Sequence, residues 1–102
     1  MQLKRGRFVD LVERQLDLFE REQAGLIRDT DAALKAYNTA GADEAEERYG
    51  DFLDLVETAR DELIGLRDGY AQALEPDAAE AYEDVFNRLV RKRLPRFGLE
   101  LD

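Results

Sequence analysis

Residues 45–73 read AEERYGDFLDLVETARDELIGLRDGYAQA, and the spacing of the apolar residues in this stretch decides the fold. Apolar side chains recur at alternating steps of four and three, which is the pattern of a helix that packs along its whole length. The residues that carry the pattern are Ala45, Tyr49, Phe52, Val56, Ala59, Leu63, Leu66, Tyr70 and Ala73. Because the pattern is sustained for about four heptads, we predict one long helix over about 42–74.

The segments on either side also have helical patterns. Upstream, apolar residues keep a helical period with no proline among them, which predicts a first helix over about 7–40. Gly41 follows it and suits a left-handed helix C-cap. Downstream, Pro76 suits the first turn of a third helix, and Pro95 disfavours helix at the residue before it. The third helix is therefore predicted over about 76–94, with a tail at 95–102.

Length and composition indicate a single helical domain over 1–102. Hydrophobic residues are 44% of the chain and charged residues 38%, a mixture typical of amphipathic helices. Short links make consecutive helices antiparallel. The predicted fold is all-α: an antiparallel three-helix bundle built on a long helical hairpin, with a shorter third helix.

The residue types that the chain lacks exclude several chemistries. It contains no Cys, His, Ser or Trp. Ser-His-Asp and Cys-His catalysis and thiolate or imidazole metal sites therefore have no side chains to use. No apolar run follows the basic N-terminus, and none approaches the roughly 20 residues of a membrane span. We expect a cytoplasmic, non-enzymatic protein without a cofactor and without membrane or nucleic-acid contacts.

The third helix is too short to cover the half of the hairpin around residues 27–55. Four seam residues there would meet water: Leu34, Tyr37, Tyr49 and Phe52. Exposed apolar patches of this kind are usually association surfaces. We therefore predict a homodimer that uses these residues as its interface and forms a larger helical bundle.

Two polar residues, Gln23 and Thr30, fall within the apolar stripe of the first helix. Polar residues in a seam typically fix register or oligomeric state. Lining a small polar pocket and simple exposure are the alternatives. In addition, Gly65 and Gly69 lie on the back of the second helix, where their spacing would permit close approach of another helix.

Near the end of the chain, the stretch NRLVRKRLPRF at 87–97 concentrates basic residues in a chain whose net charge is −9. We call these residues the basic collar: Arg88, Arg91, Lys92, Arg93 and Arg96. Basic residues in a last helical turn are stabilised by the negative helix terminus. We expect the collar to face acids of the same chain within 54–62. Docking of an acidic protein partner, or of nucleic acid or an anionic membrane, is the alternative, although the acidic net charge disfavours phosphate backbones.

Clustered carboxylates leave a second function class open. In the stretch Glu20-Arg21-Glu22-Gln23, a glutamine stands where a di-metal helical bundle would have histidine. Carboxylates alone would suit a hard cation. The predicted function is a helical assembly or adaptor module that acts through protein–protein contacts. The alternative is a carboxylate-rich bundle that binds a metal or a small ligand.

Overall fold

The computed structural model describes residues 6–99, which form four helices and no strand. The helices are α1 (Val9–Glu22), α2 (Ala24–Asn38), α3 (Ala45–Ala71) and α4 (Pro76–Arg93), and a 3₁₀ turn follows at Pro95–Phe97. The predicted all-α class is confirmed. The number of helices differs from the prediction, since the described residues form four helices and not three.

The additional helix arises because the segment predicted as one helix over 7–40 is interrupted at Gln23. This residue has φ −109° and ψ 27°, outside regular helical values. The backbone hydrogen bonds nevertheless continue, from Gln23 N to Phe19 O at 2.8 Å and from Ile27 N to Gln23 O at 2.9 Å. The weak helix former Gly25 lies next to the joint. The interruption lets α1 pack on α4 while α2 packs on α3.

The ends of α4 follow the two prolines as predicted. Pro76 is the first residue of the helix, after an extended Glu75 with φ −66° and ψ 157°. The helix ends at Arg93, and Leu94 leaves the helical region with φ −133° and ψ 62°. The crowding of Leu94 by Pro95 accounts for this end.

The turn between α2 and α3 does not use the cap that the sequence predicted. No residue within 6–99 has a positive φ, so Gly41 does not form a left-handed cap. Instead Thr39 Oγ1 donates to the backbone oxygen of Lys35 at 3.0 Å and of Ala36 at 3.4 Å. Lys35 O also accepts from Thr39 N at 3.1 Å, so the hydroxyl adds a partner for the carbonyl of Ala36 at the end of α2.

The hydrophobic core lies between α1, the C-terminal part of α3, and α4. Its aromatic centre is Tyr82, whose ring meets Phe8 edge-on at 5.6 Å and lies 4.8 Å from the ring of Tyr70. The buried apolar residues of the described chain are Phe8, Val12, Leu16, Phe19, Val56, Ala59, Leu63, Ala71, Tyr82, Val85, Phe86, Leu89, Val90, Leu94, Phe97 and Leu99.

The described part of the tail, 95–99, belongs to the core. Phe97 is fully buried and Leu99 almost so. The 3₁₀ turn packs against α3 and α4, and Arg91 Nη1 donates to the backbone oxygen of Leu99 at 3.2 Å. The 3₁₀ turn was not predicted from the sequence, because three residues after a proline are too few to show a periodic spacing of apolar residues.

The molecule is elongated, measuring 54 by 24 by 23 Å over its Cα atoms. Its outer end is the hairpin of α2 and α3, and we call residues 31–55 the tip. No residue in the tip is fully buried. Within residues 6–99, no helix combines the length and the hydropathy that a bilayer crossing requires.

Candidate functional site

An aromatic cluster occupies the tip. The rings of Tyr37 and Tyr49 lie 5.1 Å apart at 51°, and those of Tyr49 and Phe52 lie 6.3 Å apart. Tyr49 remains 44% exposed and Leu53 37% exposed. Leu34 is half-buried beside them on α2. The four predicted interface residues thus lie on the two facing helices of the tip.

The tip is exposed because the third layer of the fold stops short of it. Val56 is the first buried residue of α3, and every buried residue of that helix follows it. The heptad pattern nevertheless continues through Phe52 and Tyr49 into the tip. Apolar residues at these positions have α2 on one side and water on the other.

The two polar seam residues have different environments. Thr30 is fully buried, and its Oγ1 donates to the backbone oxygen of Leu26 at 2.8 Å within the same helix. That bond satisfies the hydroxyl without a partner from α3. Gln23 is half-buried at the joint between α1 and α2, where it lines a cleft described below.

Part of the basic collar is paired within the chain, but not with the acids that the sequence predicted. Arg93 Nη2 donates to Asp17 at 2.7 Å and to Glu20 at 3.0 Å, and Arg93 Nη1 donates to the backbone oxygen of Glu13 at 3.2 Å. No ion pair in the described chain joins the collar to residues 54–62. The prediction of partners on the second helix was wrong, because α4 ends against α1.

Two opposing effects act on the pKa of the Arg93 guanidinium. Burial alone would lower its pKa, but the carboxylates of Asp17 and Glu20 outweigh burial and raise the pKa above its ordinary value. These contacts fix the end of α4 to α1. They give Arg93 a structural role.

The rest of the collar divides between the tail and the solvent. Arg96 Nε lies 2.8 Å from Asp31 Oδ1, and Arg96 Nη2 donates to Asp31 Oδ2 at 3.3 Å. A cleft of about 480 Å³ lies between Arg93 and Arg96, but both guanidinium groups already have carboxylate partners. Arg88 and Lys92 are exposed on the outer face of α4.

A buried polar contact joins α1 to α4. The hydroxyl of Tyr82 donates to Gln15 Oε1 at 2.8 Å. Burial raises the pKa of Tyr82 to about 12. A second contact joins α3 to α4, where Arg67 Nη1 donates to buried Asn87 at 2.9 Å. The sequence analysis identified none of these four residues as functional, and their contacts are structural.

A cleft of about 440 Å³ separates α1 from α3. Both helices pack on α4, and they approach one another less closely. Its lining residues are Gln15, Leu18, Phe19, Glu22, Gln23, Asp61, Glu62, Gly65 and Leu66. Sequence reasoning missed this cleft. The signal was Leu18, a large apolar residue off the core stripe that is 45% exposed.

The carboxylates do not converge into a metal site. Among residues 6–99, no three acidic side chains are placed to hold an ion. In the stretch compared with a di-metal motif, Glu20 pairs with Arg93, whereas Glu22 and Gln23 line the cleft. These side chains therefore face different surroundings.

No protein-family model matches the chain, and searches of curated proteins and of solved structures found no match.

Proposed function

We propose that the chain is a non-enzymatic helical assembly module that pairs with a second copy of itself through the tip. The observation that supports this proposal is the contrast within one heptad pattern. The pattern is buried at Val56, Ala59 and Leu63, and towards the tip it becomes half-buried at Phe52 and 44% exposed at Tyr49. A second tip, placed against the first, would give these residues the missing layer of a four-helix bundle.

The pairing would be symmetric, because a two-fold contact needs only one self-complementary surface. The tip offers apolar side chains from both helices, of which Tyr49 and Leu53 are the most exposed. The residues proposed for the contact are Leu34, Tyr37, Tyr49, Phe52 and Leu53. In a dimer each residue meets the corresponding surface of the other copy, so ten side chains change their environment.

Burial of the tip residues contributes a free energy of the same size as the cost of association. Full burial of a large apolar side chain contributes about 1.5–3 kcal/mol, and these residues are already partly buried. Half of that contribution from ten side chains is on the order of 10 kcal/mol. Association costs about 4–15 kcal/mol, which is a term of similar size. A Kd of about 1 µM requires a net gain of about 8 kcal/mol, which lies at the favourable end of this balance. We therefore expect a reversible dimer that dissociates on dilution.

Charge adds a dependence on salt. The tip carries six acids on α3 and the preceding turn, and Arg48 pairs with Glu44 and Asp51. Two tips brought together would place like charges near one another, and salt screens such repulsion. The dimer should therefore be tighter at high ionic strength.

Sedimentation equilibrium of matched variants tests the proposal. Replacing both Tyr49 and Leu53 by Asp places charges at two positions that are more than one third exposed, so the monomer should keep its fold. Phe52 is a poorer choice because it also packs against the core. Leu18→Asp is the control, since Leu18 is 45% exposed but lies on α1.

The proposal requires that wild type and Leu18→Asp sediment as dimers and that the double variant sediments as a monomer. The measurement should be made at roughly 50 µM, well above a micromolar Kd. A monomeric wild type at this concentration would refute the proposal. A double variant that remains dimeric would place the interface elsewhere.

The alternative of a metal or small-ligand protein has less support. Its carboxylates are dispersed or paired, and no cluster of the described residues is arranged for an ion.

A further inference from the structure

The cleft between α1 and α3 is a second surface with an apolar floor that the fold does not cover. Leu18 and Phe19 form one wall, and Leu66 lies opposite on α3. Phe19 is buried, whereas Leu18 is 45% exposed. Tyr70, which is 36% exposed, lies one helical turn beyond Leu66. Among the large apolar residues exposed within 6–99, Tyr49 and Leu53 lie in the tip and Leu18 lines this cleft.

The rim of the cleft is acidic. Glu22 lies at the end of α1, and Asp61 and Glu62 lie on α3, while no basic residue lines the cleft. The nearest arginines along α1 are Arg14 and Arg21. At about 100° per residue, both lie on the far side of Leu18 from the cleft, where they face solvent.

The wall on α3 is unusually open. Gly65 lines the cleft and Gly69 follows one turn later, and both are exposed. A Cβ atom added at either position would meet no atom within 4 Å, and neither glycine has a positive φ. The fold therefore does not require glycine here, although alanine forms helices better. Without a side chain at these positions, another helix has room to approach α3 closely.

We propose that this cleft binds a basic amphipathic helix of a partner protein. Apolar side chains at steps of three and four would enter between Leu18 and Leu66, as in other helix-in-groove complexes. Lysine and arginine side chains on the flanks of that helix would meet Glu22, Asp61 and Glu62. This inference goes beyond the tip dimer and does not depend on it.

A second copy of the chain fits the cleft poorly. Its exposed basic residues lie on two surfaces: the outer face of α4, with Arg88 and Lys92, and a stripe along α1 and α2 that includes Arg14 and Arg21. None of the large exposed apolar residues within 6–99 lies on α4. The face of α4 therefore has charge but no apolar anchor for the floor of the cleft. Among the described residues, the stripe on α1 has Leu18 as its one large exposed apolar residue, without a second at a step of three or four.

Titration with a synthetic peptide tests this proposal on the full chain. The probe is a peptide of Leu, Ala and Lys, about 18 residues long so that it can be helical, with leucines at steps of three and four. A matched peptide with Glu in place of Lys is the charge control. Binding is followed by calorimetry, and the contact surface is mapped by amide chemical shifts.

Matched glycine variants test the location of the site. Gly65→Leu fills the open wall, and Gly50→Leu adds the same side chain to α3 outside the cleft, where a Cβ also meets no atom within 4 Å. Because Gly50 lies in the tip, both variants are made in the Tyr49→Asp, Leu53→Asp chain, in which the tip is not expected to pair. We expect Gly65→Leu to weaken binding by about tenfold or more and Gly50→Leu to leave it within about twofold. Glu62→Gln should weaken binding and reduce its dependence on salt. Circular dichroism of each variant verifies the fold.

Several outcomes would overturn the proposal. The Lys peptide could fail to bind at about 1 mM, or the Glu peptide could bind equally well. The amide chemical-shift changes could be centred on the tip, or Gly65→Leu could bind the peptide as tightly as the wild type. A change of oligomeric state in Gly65→Leu would mean that a second copy occupies the cleft. The Tyr49→Asp, Leu53→Asp variant should still bind the peptide, which separates failure of this proposal from failure of the tip dimer.

Discussion

Truncation of Phe97 to alanine should destabilise the protein strongly, although this residue lies after the last α-helix. Phe97 is fully buried in the 3₁₀ turn, which packs against α3 and α4. Removing a buried phenylalanine side chain typically costs about 3–5 kcal/mol, from lost transfer energy and from the cavity that remains. A chain of this size has a total stability of about 5–15 kcal/mol. The variant should therefore lose a fifth or more of its stability.

Urea unfolding followed by far-ultraviolet circular dichroism measures this loss. Leu18→Ala is the contrast, because Leu18 is 45% exposed and its truncation should cost less than about 1 kcal/mol. Thermal melts should agree, with the midpoint of Phe97→Ala lowered by at least about 12 °C. A loss below about 1 kcal/mol for Phe97→Ala would refute the conclusion that the described tail is part of the core.

Three further predictions concern charge. Because the pKa of Tyr82 is raised to about 12, the folded state keeps a proton that the unfolded state releases near pH 10. The free energy of unfolding should therefore fall by about 2–3 kcal/mol as pH rises from about 10 to about 12. Urea unfolding of Tyr82→Phe should not show this loss. A double-mutant cycle with Arg93→Gln and Asp17→Asn should give a coupling energy of about 0.5–1 kcal/mol, and zero coupling would mean that the end of α4 is not held to α1 by this pair. Residues 35–68 carry ten acids and four bases, so the melting midpoint should rise between low salt and roughly 1 M salt, and a lower midpoint in salt would contradict this.

The sequence was sufficient to predict those helices that are marked by the spacing of apolar residues or by prolines at their ends. The heptad spacing predicted α3 because it depends on one face of one helix. Pro76 and Pro95 predicted both ends of α4, since proline restricts its own backbone and that of the preceding residue. The exposure of Tyr49 followed from helix length alone, whereas the use of this region as an interface stays a prediction.

The features that the sequence did not predict depend on how the helices are placed around one another. Gln23 is a good helix former, so nothing in its own chemistry marks the joint. The partners of Arg93 were sought on the second helix because the predicted hairpin paired the first helix with the second along its whole length. In the structure α1 packs on α4, and that placement both brings Asp17 to Arg93 and opens the cleft beside Leu66.

The central claim is that two copies meet at their tips, and a distance measurement between copies tests it most directly. The chain has no native cysteine, so single cysteines can carry spin labels. Glu46→Cys labels the exposed side of the tip and Ala81→Cys labels the outer face of α4. Neighbouring helices in a bundle lie about 10 Å apart, so double electron–electron resonance should give a distance within about 30 Å between the labels at 46. The labels at 81 should be farther apart. The absence of a dipolar signal at 46, or a shorter distance at 81, would contradict the claim.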